Sequence, residues 1–227
     1  MQIQPENAGA VYYRGLISNA AGRYAEAETD FSTAIALRPE YVEAYARRGQ
    51  VRLSLGNIVA ALQDFNTALQ LDPENRNVLA DRGQAYLDLR NYARAVADYS
   101  RLIELLPDDP QGYVYRGIAY YNWQRPDLAT VDLNKAIELE ADSVQAYYIR
   151  GRIRAGLGQL ILAIEDYDRA IAISAEFLEG YFYRGMAYKY LGDWAGAIAD
   201  FQRVLALEGN VDLQEQAQEY LIGMGVP

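Results

Sequence analysis

The sequence has 227 residues and a formal net charge of −10, and it contains no cysteine and no histidine. The missing cysteines exclude disulfides and thiolate metal sites, and the missing histidines remove the commonest metal ligand and general base. Both halves of the chain are acidic, so a nucleic-acid partner is not expected. The start, MQIQPENAGA, lacks a secretory pattern, and no apolar run reaches the ~20 residues of a membrane span. We therefore expect a cytoplasmic protein without membrane insertion.

An Arg-Gly dipeptide recurs along the chain at a constant interval, and an alanine and then an aspartate follow each glycine at constant distances, as Ala27 and Asp30 follow Gly15. The dipeptides are Arg14-Gly15, Arg48-Gly49, Arg82-Gly83, Arg116-Gly117, Arg150-Gly151 and Arg184-Gly185. A fixed period of a few dozen residues is typical of stacked repeats. The sequence therefore predicts a lead over residues 1–7, six tandem repeats and a capping helix over 212–227. The repeats are 8–41, 42–75, 76–109, 110–143, 144–177 and 178–211.

Each repeat is predicted to form two helices joined by a short turn. In repeat 2 the first helix runs through VEAYARRGQVRLSL to Gly56, where glycine can take the left-handed conformation that ends a helix. Asn57 is then the expected N-cap of the second helix, VAALQDFNTALQL, and Pro73 closes the repeat. In repeat 4, Asp109 is an expected N-cap, because Pro110 suits the first helical position.

Apolar residues in the second helices recur at helical spacing, so one face of each must be buried. A single helix pair cannot bury that face, and neighbouring pairs are expected to cover it. After residue 211 the period breaks. The segment 212–227 has a weaker apolar face, made of Leu213, Ala217, Tyr220 and Leu221, and is predicted to cap the last repeat.

These residues resemble the tetratricopeptide repeat, whose unit carries a large residue, a glycine, an aromatic residue and a closing proline. The glycine is present in all six repeats. The large residues are Val11, Tyr45, Leu79, Tyr113, Tyr147 and Tyr181. The aromatic residues of the second helices are Phe31, Phe65, Tyr99, Tyr167 and Phe201, and repeat 4 has Leu133 in their place. The closing prolines are Pro39, Pro73 and Pro107. The resemblance implies an all-α fold, a right-handed superhelical α-solenoid of helix-turn-helix repeats. Its first helices would line a concave groove that binds peptide or protein.

The residue before the glycine departs from the family, because it is arginine six times where leucine or a similar residue is usual. We expect each arginine to pair with one of the recurring aspartates, and the sequence leaves open whether the pairs form within a repeat or between repeats. The repeated glycine indicates that two helices touch there, with the small alanine of the second helix expected opposite. Arg52 and Arg154, which share one register, have no assigned partner.

No phosphate-binding loop, zinc spacing or nucleophile elbow is present. One aspartate per repeat at a fixed register is an architectural pattern, so we expect a non-enzymatic protein with no cofactor and no metal. Some family members hold the acidic tails of heat-shock chaperones with a lysine and an asparagine on one first helix. None of the six matching places here has both residues, so that activity is not implied.

The family's geometry places the candidate ligand-binding residues on the first helices of repeats 4–6, where aromatic residues concentrate. Tyrosine offers a large contact area together with a hydroxyl group, and a cation here can meet an acidic residue of the ligand. The alternative is that these side chains pack within the core or between repeats. The candidates are Tyr115, Ile118, Tyr121, Tyr148, Arg152, Phe182, Met186, Lys189 and Tyr190.

The predicted function is a scaffold, adaptor or assembly factor that binds a peptide segment of a partner protein, mainly in repeats 4–6. Two alternatives remain open. The chain can be a structural array that forms homo-oligomers by end-to-end stacking, or it can be the repeat module of a larger multidomain protein.

Overall fold

The computed structural model describes residues 7–226, and within this range the chain forms thirteen α-helices and no strand. Residues 1–6 of the predicted lead and Pro227 lie outside the described residues. Across the described range, none of the helices combines the length and apolar character that a membrane crossing requires. The helices are α1 Ala8–Ala20, α2 Tyr24–Leu37, α3 Val42–Ser54, α4 Ile58–Leu71, α5 Arg76–Asp88, α6 Tyr92–Leu105, α7 Pro110–Asn122, α8 Pro126–Leu139, α9 Val144–Gly156, α10 Leu160–Ile173, α11 Leu178–Leu191, α12 Trp194–Ala206 and α13 Val211–Gly223.

The helices pack in consecutive pairs, α1 with α2 through α11 with α12, and this confirms the predicted all-α repeat fold. The first helix of every pair begins at the same register of the sequence period, at Ala8, Val42, Arg76, Pro110, Val144 and Leu178. Contacts group the chain into two compact bodies, Met1–Pro107 and Asp108–Pro227, which we call the N-terminal and C-terminal bodies. The division into six repeats with exact boundaries stays a prediction.

The turn inside each pair contains one residue in the left-handed region. Gly56 has φ of 78°, as predicted, and the same place in the next two pairs is taken by Arg90 and Gln124 with φ of 56° and 59°. Asp109 caps α7 by accepting a hydrogen bond from the Gln111 amide at 2.9 Å. Asn57 precedes α4, but its side chain accepts no capping hydrogen bond, so the turn geometry alone begins that helix.

Each repeated glycine faces the large side chain that directly follows the recurring aspartate, whereas the predicted alanine is among the three nearest neighbours only at Gly117, through the carbonyl oxygen of Ala129. A Cβ added to Gly83 would lie 2.5 Å from Cε1 of Tyr99, and one added to Gly49 would lie 2.5 Å from Cε1 of Phe65. The glycine therefore forms a notch for a ring that is at most 1 % exposed. The six notch-filling side chains are Phe31, Phe65, Tyr99, Leu133, Tyr167 and Phe201.

The arginines pair with aspartates of the same helix pair, which settles one of the alternatives that the sequence left open. In each pair the guanidinium lies 2.6–2.8 Å from the carboxylate of an aspartate residue that is 2–7 % exposed. A third donor of several arginines also reaches the preceding pair. Arg82 binds Asp98 through Nε and Nη2, and its Nη1 donates to Oδ1 of Asn66 at 2.8 Å. One side chain thus connects two consecutive helix pairs.

Arg52 and Arg154 supply a second cation to the buried aspartate of their own pair. Arg52 lies 2.9 Å from Asp64 and 2.7 Å from Glu28 of the preceding pair, and Arg154 lies 2.9 Å from Asp166. Because these carboxylates are almost fully buried, water cannot hydrogen-bond to them. A second charged donor supplies a hydrogen bond to lone pairs that would otherwise have none.

Helix α13 covers the apolar face of the last pair, as predicted for a capping helix. Its Ala217 and Leu221 are buried, and the ring of Tyr220 stacks on Phe201 at 5.3 Å. Nε2 of Gln214 donates to the carbonyl oxygen of Leu207 at 2.6 Å, which fixes the connection from α12.

Substituting Gly83 by valine is expected to destabilise the protein by about 1–3 kcal/mol or more, because the added carbons overlap the buried ring of Tyr99. Urea unfolding followed by circular dichroism measures the difference. Gly223→Ala is the control, since a Cβ there meets nothing within 4 Å. If the Gly83→Val protein unfolds at the same urea concentration as the wild type, Gly83 is not needed to make room for the ring of Tyr99.

We call the six repeated Arg–Asp pairs the arginine–aspartate ladder. Removing one partner, as in Arg82→Ala, is expected to lower the free energy of unfolding by about 3–5 kcal/mol, because Asp98 would stay buried without its cation. The matched control is Arg101→Ala, whose exposed pairs with Glu74 and Glu104 are worth about 0–1 kcal/mol. The double change Arg82→Met/Asp98→Leu is expected to cost less than Arg82→Ala alone. Equal losses from both arginine variants in chemical denaturation would contradict this account.

Candidate functional site

A cavity of about 820 Å³ lies within the C-terminal body, between α7, α9, α10, α11 and α13. Five of the nine predicted ligand-binding residues line it. They are Tyr121, Arg152, Phe182, Met186 and Tyr190. A cavity of this size, lined by aromatic side chains together with polar groups, has the dimensions of a typical ligand site.

The helical period brings these side chains together. Phe182, Met186 and Tyr190 follow each other at intervals of four residues on α11, so they lie along one face of that helix. On α9, Arg152 lines the same cavity, and Tyr148 lies one helical turn before it. Two neighbouring first helices therefore present their side chains to the same space.

Arg152 is held by aromatic rings. Its Cζ lies 4.6 Å from the ring centroid of Tyr183, 5.4 Å from that of Tyr121 and 5.8 Å from that of Tyr148. Rings at such distances attract a cation through their electron-rich faces. Among residues 7–226 no carboxylate lies within 4 Å of the guanidinium. The cavity therefore contains a positive charge that the described chain does not neutralise.

Tyr148 and Lys189 support this wall from outside the residues that line the cavity. The ring of Tyr148 meets Phe177 edge-on at 5.1 Å and lies 5.7 Å from that of Tyr183. Burial raises the pKa of the Tyr148 hydroxyl above its ordinary value, so this group is neutral at physiological pH and leaves the charge of Arg152 uncompensated. Nζ of Lys189 lies 4.1 Å from the ring centroid of Tyr220.

Tyr167 is a core residue that borders the cavity from the second helix of its pair. Its side chain is fully buried, and its Oη has no hydrogen-bond partner among the described residues. Most buried polar groups are hydrogen-bonded, so this hydroxyl is an exception that needs an explanation. Burial also raises the pKa of Tyr167, and the group therefore stays a protonated donor.

The remaining candidates differ in exposure and position. Phe182 is 3 % exposed and packs against Phe201 at 5.8 Å, whereas Tyr190 is 67 % exposed at the rim. Ile118 packs against the core cluster that includes Val114, and Tyr115 is half-buried on α7. The structure does not place these last two among the residues that line the cavity.

The sequence analysis did not identify Tyr167, Gln216 or Tyr220 as lining residues, because it placed the site on first helices only. Tyr167 is on α10, and the other two are on α13. One feature of the sequence distinguishes Tyr167 from most of its equivalents. Tyr167 stands at a register where three other repeats carry phenylalanine, so its hydroxyl is an addition to a core ring. Elsewhere in the described chain, no group of three or more acidic side chains is placed to hold a metal ion.

Comparisons with known proteins identify the family. Tetratricopeptide repeat models match residues 20–76, 52–113, 144–177 and 178–211. The chain belongs to the tetratricopeptide repeat family. Its family and fold support a protein–protein interaction scaffold, and such repeats are generally non-enzymatic interaction modules.

Solved structures of tetratricopeptide repeat proteins share the fold. A protein from Parabacteroides merdae ATCC 43184 is 20 % identical, with 96 % of this chain and 86 % of that chain covered and a TM-score of 0.82. PilF of Pseudomonas aeruginosa is 18 % identical, with 93 % and 97 % covered and a TM-score of 0.75. YrrB, described as having an unusual peptide-binding site, is 19 % identical, with 83 % and 97 % covered and a TM-score of 0.60. No curated protein matches the sequence.

The two predicted site residues on α11 that differ most in exposure are expected to respond differently to truncation in this tetratricopeptide repeat protein. Phe182→Ala is expected to lower stability by about 3–5 kcal/mol, because it leaves a hole beside Phe201. Tyr190→Ala is expected to change it by no more than about 0.5 kcal/mol, since Tyr190 is mostly exposed. Thermal unfolding of both variants measures the difference in stability. A Phe182→Ala protein as stable as the wild type would mean that Phe182 is not needed for packing.

Proposed function

We propose that this tetratricopeptide repeat protein is a non-enzymatic adaptor or assembly factor that binds a short peptide segment of a partner protein in the cavity of the C-terminal body. The observation that carries the proposal is the cavity itself, about 820 Å³ with aromatic walls and an arginine that lacks a carboxylate partner among residues 7–226. Large, rigid aromatic side chains beside an arginine are the residues that most often dominate binding energy at protein interfaces.

The predicted site residues divide into two roles in this proposal. Tyr121, Arg152, Met186 and Tyr190 contact the peptide directly. Tyr148, Phe182 and Lys189 hold the wall in place through their ring contacts, which are already formed without a ligand. A preformed wall binds with little loss of conformational freedom. Tyr115 and Ile118 extend the binding surface along α7.

The family gives this proposal independent support. YrrB, which has the same fold, is described as a tetratricopeptide repeat protein with a peptide-binding site. Because YrrB is only 19 % identical to this chain, the comparison supports a peptide as the ligand and does not indicate which peptide sequence binds.

A selection of displayed random peptides on the purified full chain tests the proposal, with the enriched peptides then titrated calorimetrically. We expect micromolar binding that weakens at least tenfold, about 1.4 kcal/mol, in Tyr121→Ala/Tyr190→Ala. The matched control is Tyr13→Ala, because Tyr13 is 65 % exposed in the N-terminal body.

Two outcomes would contradict the proposal. Peptides that bind both variants equally would place the site elsewhere on the chain. A protein that enriches no peptide, and whose mass in light scattering grows with concentration, would favour the self-associating array.

A further inference from the structure

We propose that two copies of this chain pair through an apolar patch on the C-terminal body. The patch is formed by two consecutive turns, the one between α9 and α10 and the one between α11 and α12, together with the helix ends beside them. We call it the turn-edge patch, and its members are large apolar side chains that are 41–67 % exposed: Leu157, Ile161, Leu162, Leu191 and Trp194. Exposed apolar side chains that cluster mark interaction sites, whereas scattered ones need no explanation.

A groove of about 290 Å³ lies between these two turns. Its lining residues are Gly158, Gln159, Leu160, Ile161, Leu162 and Leu191. This volume is at the lower limit of ligand sites, so the groove suits a single side chain better than a peptide segment. Gly158 and Leu160 also border the larger cavity of the C-terminal body, but the other lining residues differ. The inference therefore concerns a separate surface and does not depend on the proposed function.

The N-terminal body has a related surface, but it carries charge where the patch does not. Val59 stands at the same register as Ile161 and has the same exposure, 67 %. The turn of the next pair carries Arg90, whereas the equivalent residue beside the patch is Gly192. Residues 155–164, which run through the first turn of the patch, include no charged residue. The C-terminal body thus leaves uncharged a surface that its N-terminal equivalent does not.

Charge favours a second copy of the chain as the occupant. Each copy has a formal net charge of −10, so two copies repel each other where their acidic surfaces meet. The carboxylate nearest in sequence to Trp194 is that of Asp193, and it caps α12 by accepting a hydrogen bond from the Gly196 amide at 3.0 Å. The helix N-terminus stabilises this negative charge. The patch therefore allows an uncharged surface to approach, and the chain itself has such a surface, whereas an anionic membrane would be repelled.

The patch contains both halves of a two-fold contact. In a two-fold dimer the same surface meets itself, so a projecting side chain and the space that receives it must lie on one surface. Trp194 is 54 % exposed and stands three residues after Leu191, which lines the groove. We therefore place the ring of Trp194 from each copy in the groove of the other.

The exposed area is sufficient for the centre of such a contact. The five side chains expose on the order of 500 Å² in each copy, compared with about 800 Å² per partner in a standard interface. The exposed residues Gln159 and Glu165 border the patch and supply a polar rim. An apolar centre with a polar rim is the usual composition of a protein interface.

Analytical ultracentrifugation of the full chain over a concentration series tests the proposal. We expect a reversible dimer with a dissociation constant in the micromolar range, and a mass that stops at two copies because a two-fold contact closes on itself. Trp194 reports the same event in Trp123→Phe, where it is the remaining tryptophan of the chain. Its emission is expected to shift to shorter wavelength as the concentration rises, since the ring leaves water.

Ile161→Ser is the test variant, and Val59→Ser is its matched control at the same register and exposure. We expect Ile161→Ser to weaken pairing and Ile161→Ser/Trp194→Ser to raise the dissociation constant of the dimer at least tenfold, because the second variant removes both the ring and a wall of the groove. Val59→Ser is expected to leave pairing unchanged. The substituted side chains are mostly exposed, so circular dichroism is expected to show the same helix content in all variants.

Four results would overturn the inference. The chain would have no such contact if it stayed a single copy at every concentration, and the contact would lie elsewhere if Val59→Ser weakened pairing as much as Ile161→Ser. A mass that grows beyond two copies would indicate end-to-end stacking. A single-copy chain that sediments with phosphatidylcholine vesicles, and loses this in Ile161→Ser/Trp194→Ser, would make a bilayer the occupant. Peptide selection by the cavity is measured separately, so either proposal can fail without the other.

Discussion

The contact between a glycine and a buried side chain, a ring in five of the six pairs, sets the geometry of every helix pair in this protein. The side chain occupies the place of a Cβ, so the two helices can approach only where the first carries glycine. The arginine that precedes each glycine then lies beside the second helix and binds its buried aspartate. Packing fixes the distance between the helices, and the ion pair fixes their register.

The buried ion pair adds specificity more than net stability. Two opposite charges lose most of their mutual gain to desolvation, so a well-packed apolar pair would stabilise the fold as much. The helix pairs have similar apolar faces, however. If apolar residues replaced the Arg–Asp pairs, one helix pair could pack on the next in more than one register. Within each body, third donors such as that of Arg82, which reaches Asn66, give consecutive pairs a directional contact that only one register satisfies. The same physical reason accounts for Arg52, which joins Glu28 and Asp64 across two pairs.

The periodic part of the molecule was predictable from the sequence, and the site only in part. Spacing identified the helix pairs and predicted that the arginines bind the aspartates, although it left open whether within or between repeats. The family resemblance supplied the first-helix positions, five of which line the cavity. It named the alanine opposite each glycine and missed the larger side chain that lies nearer, because a period shows which residues recur and does not show which atoms meet. It also did not identify Tyr167, since residues on the second helices were assigned to the core. Contributions from α13 could not be predicted, because that helix lies outside the repeat and has no equivalent to compare.

The cavity lies where the repeated pattern is broken. Arg152 stands between Arg150 and Arg154 without sharing their carboxylate, and α13 is a single helix whose composition differs from that of the repeats. Side chains that the repeat architecture does not use and that line one space are free to take another role. In a repeat protein the residues that depart from the period are therefore the ones from which function is best inferred.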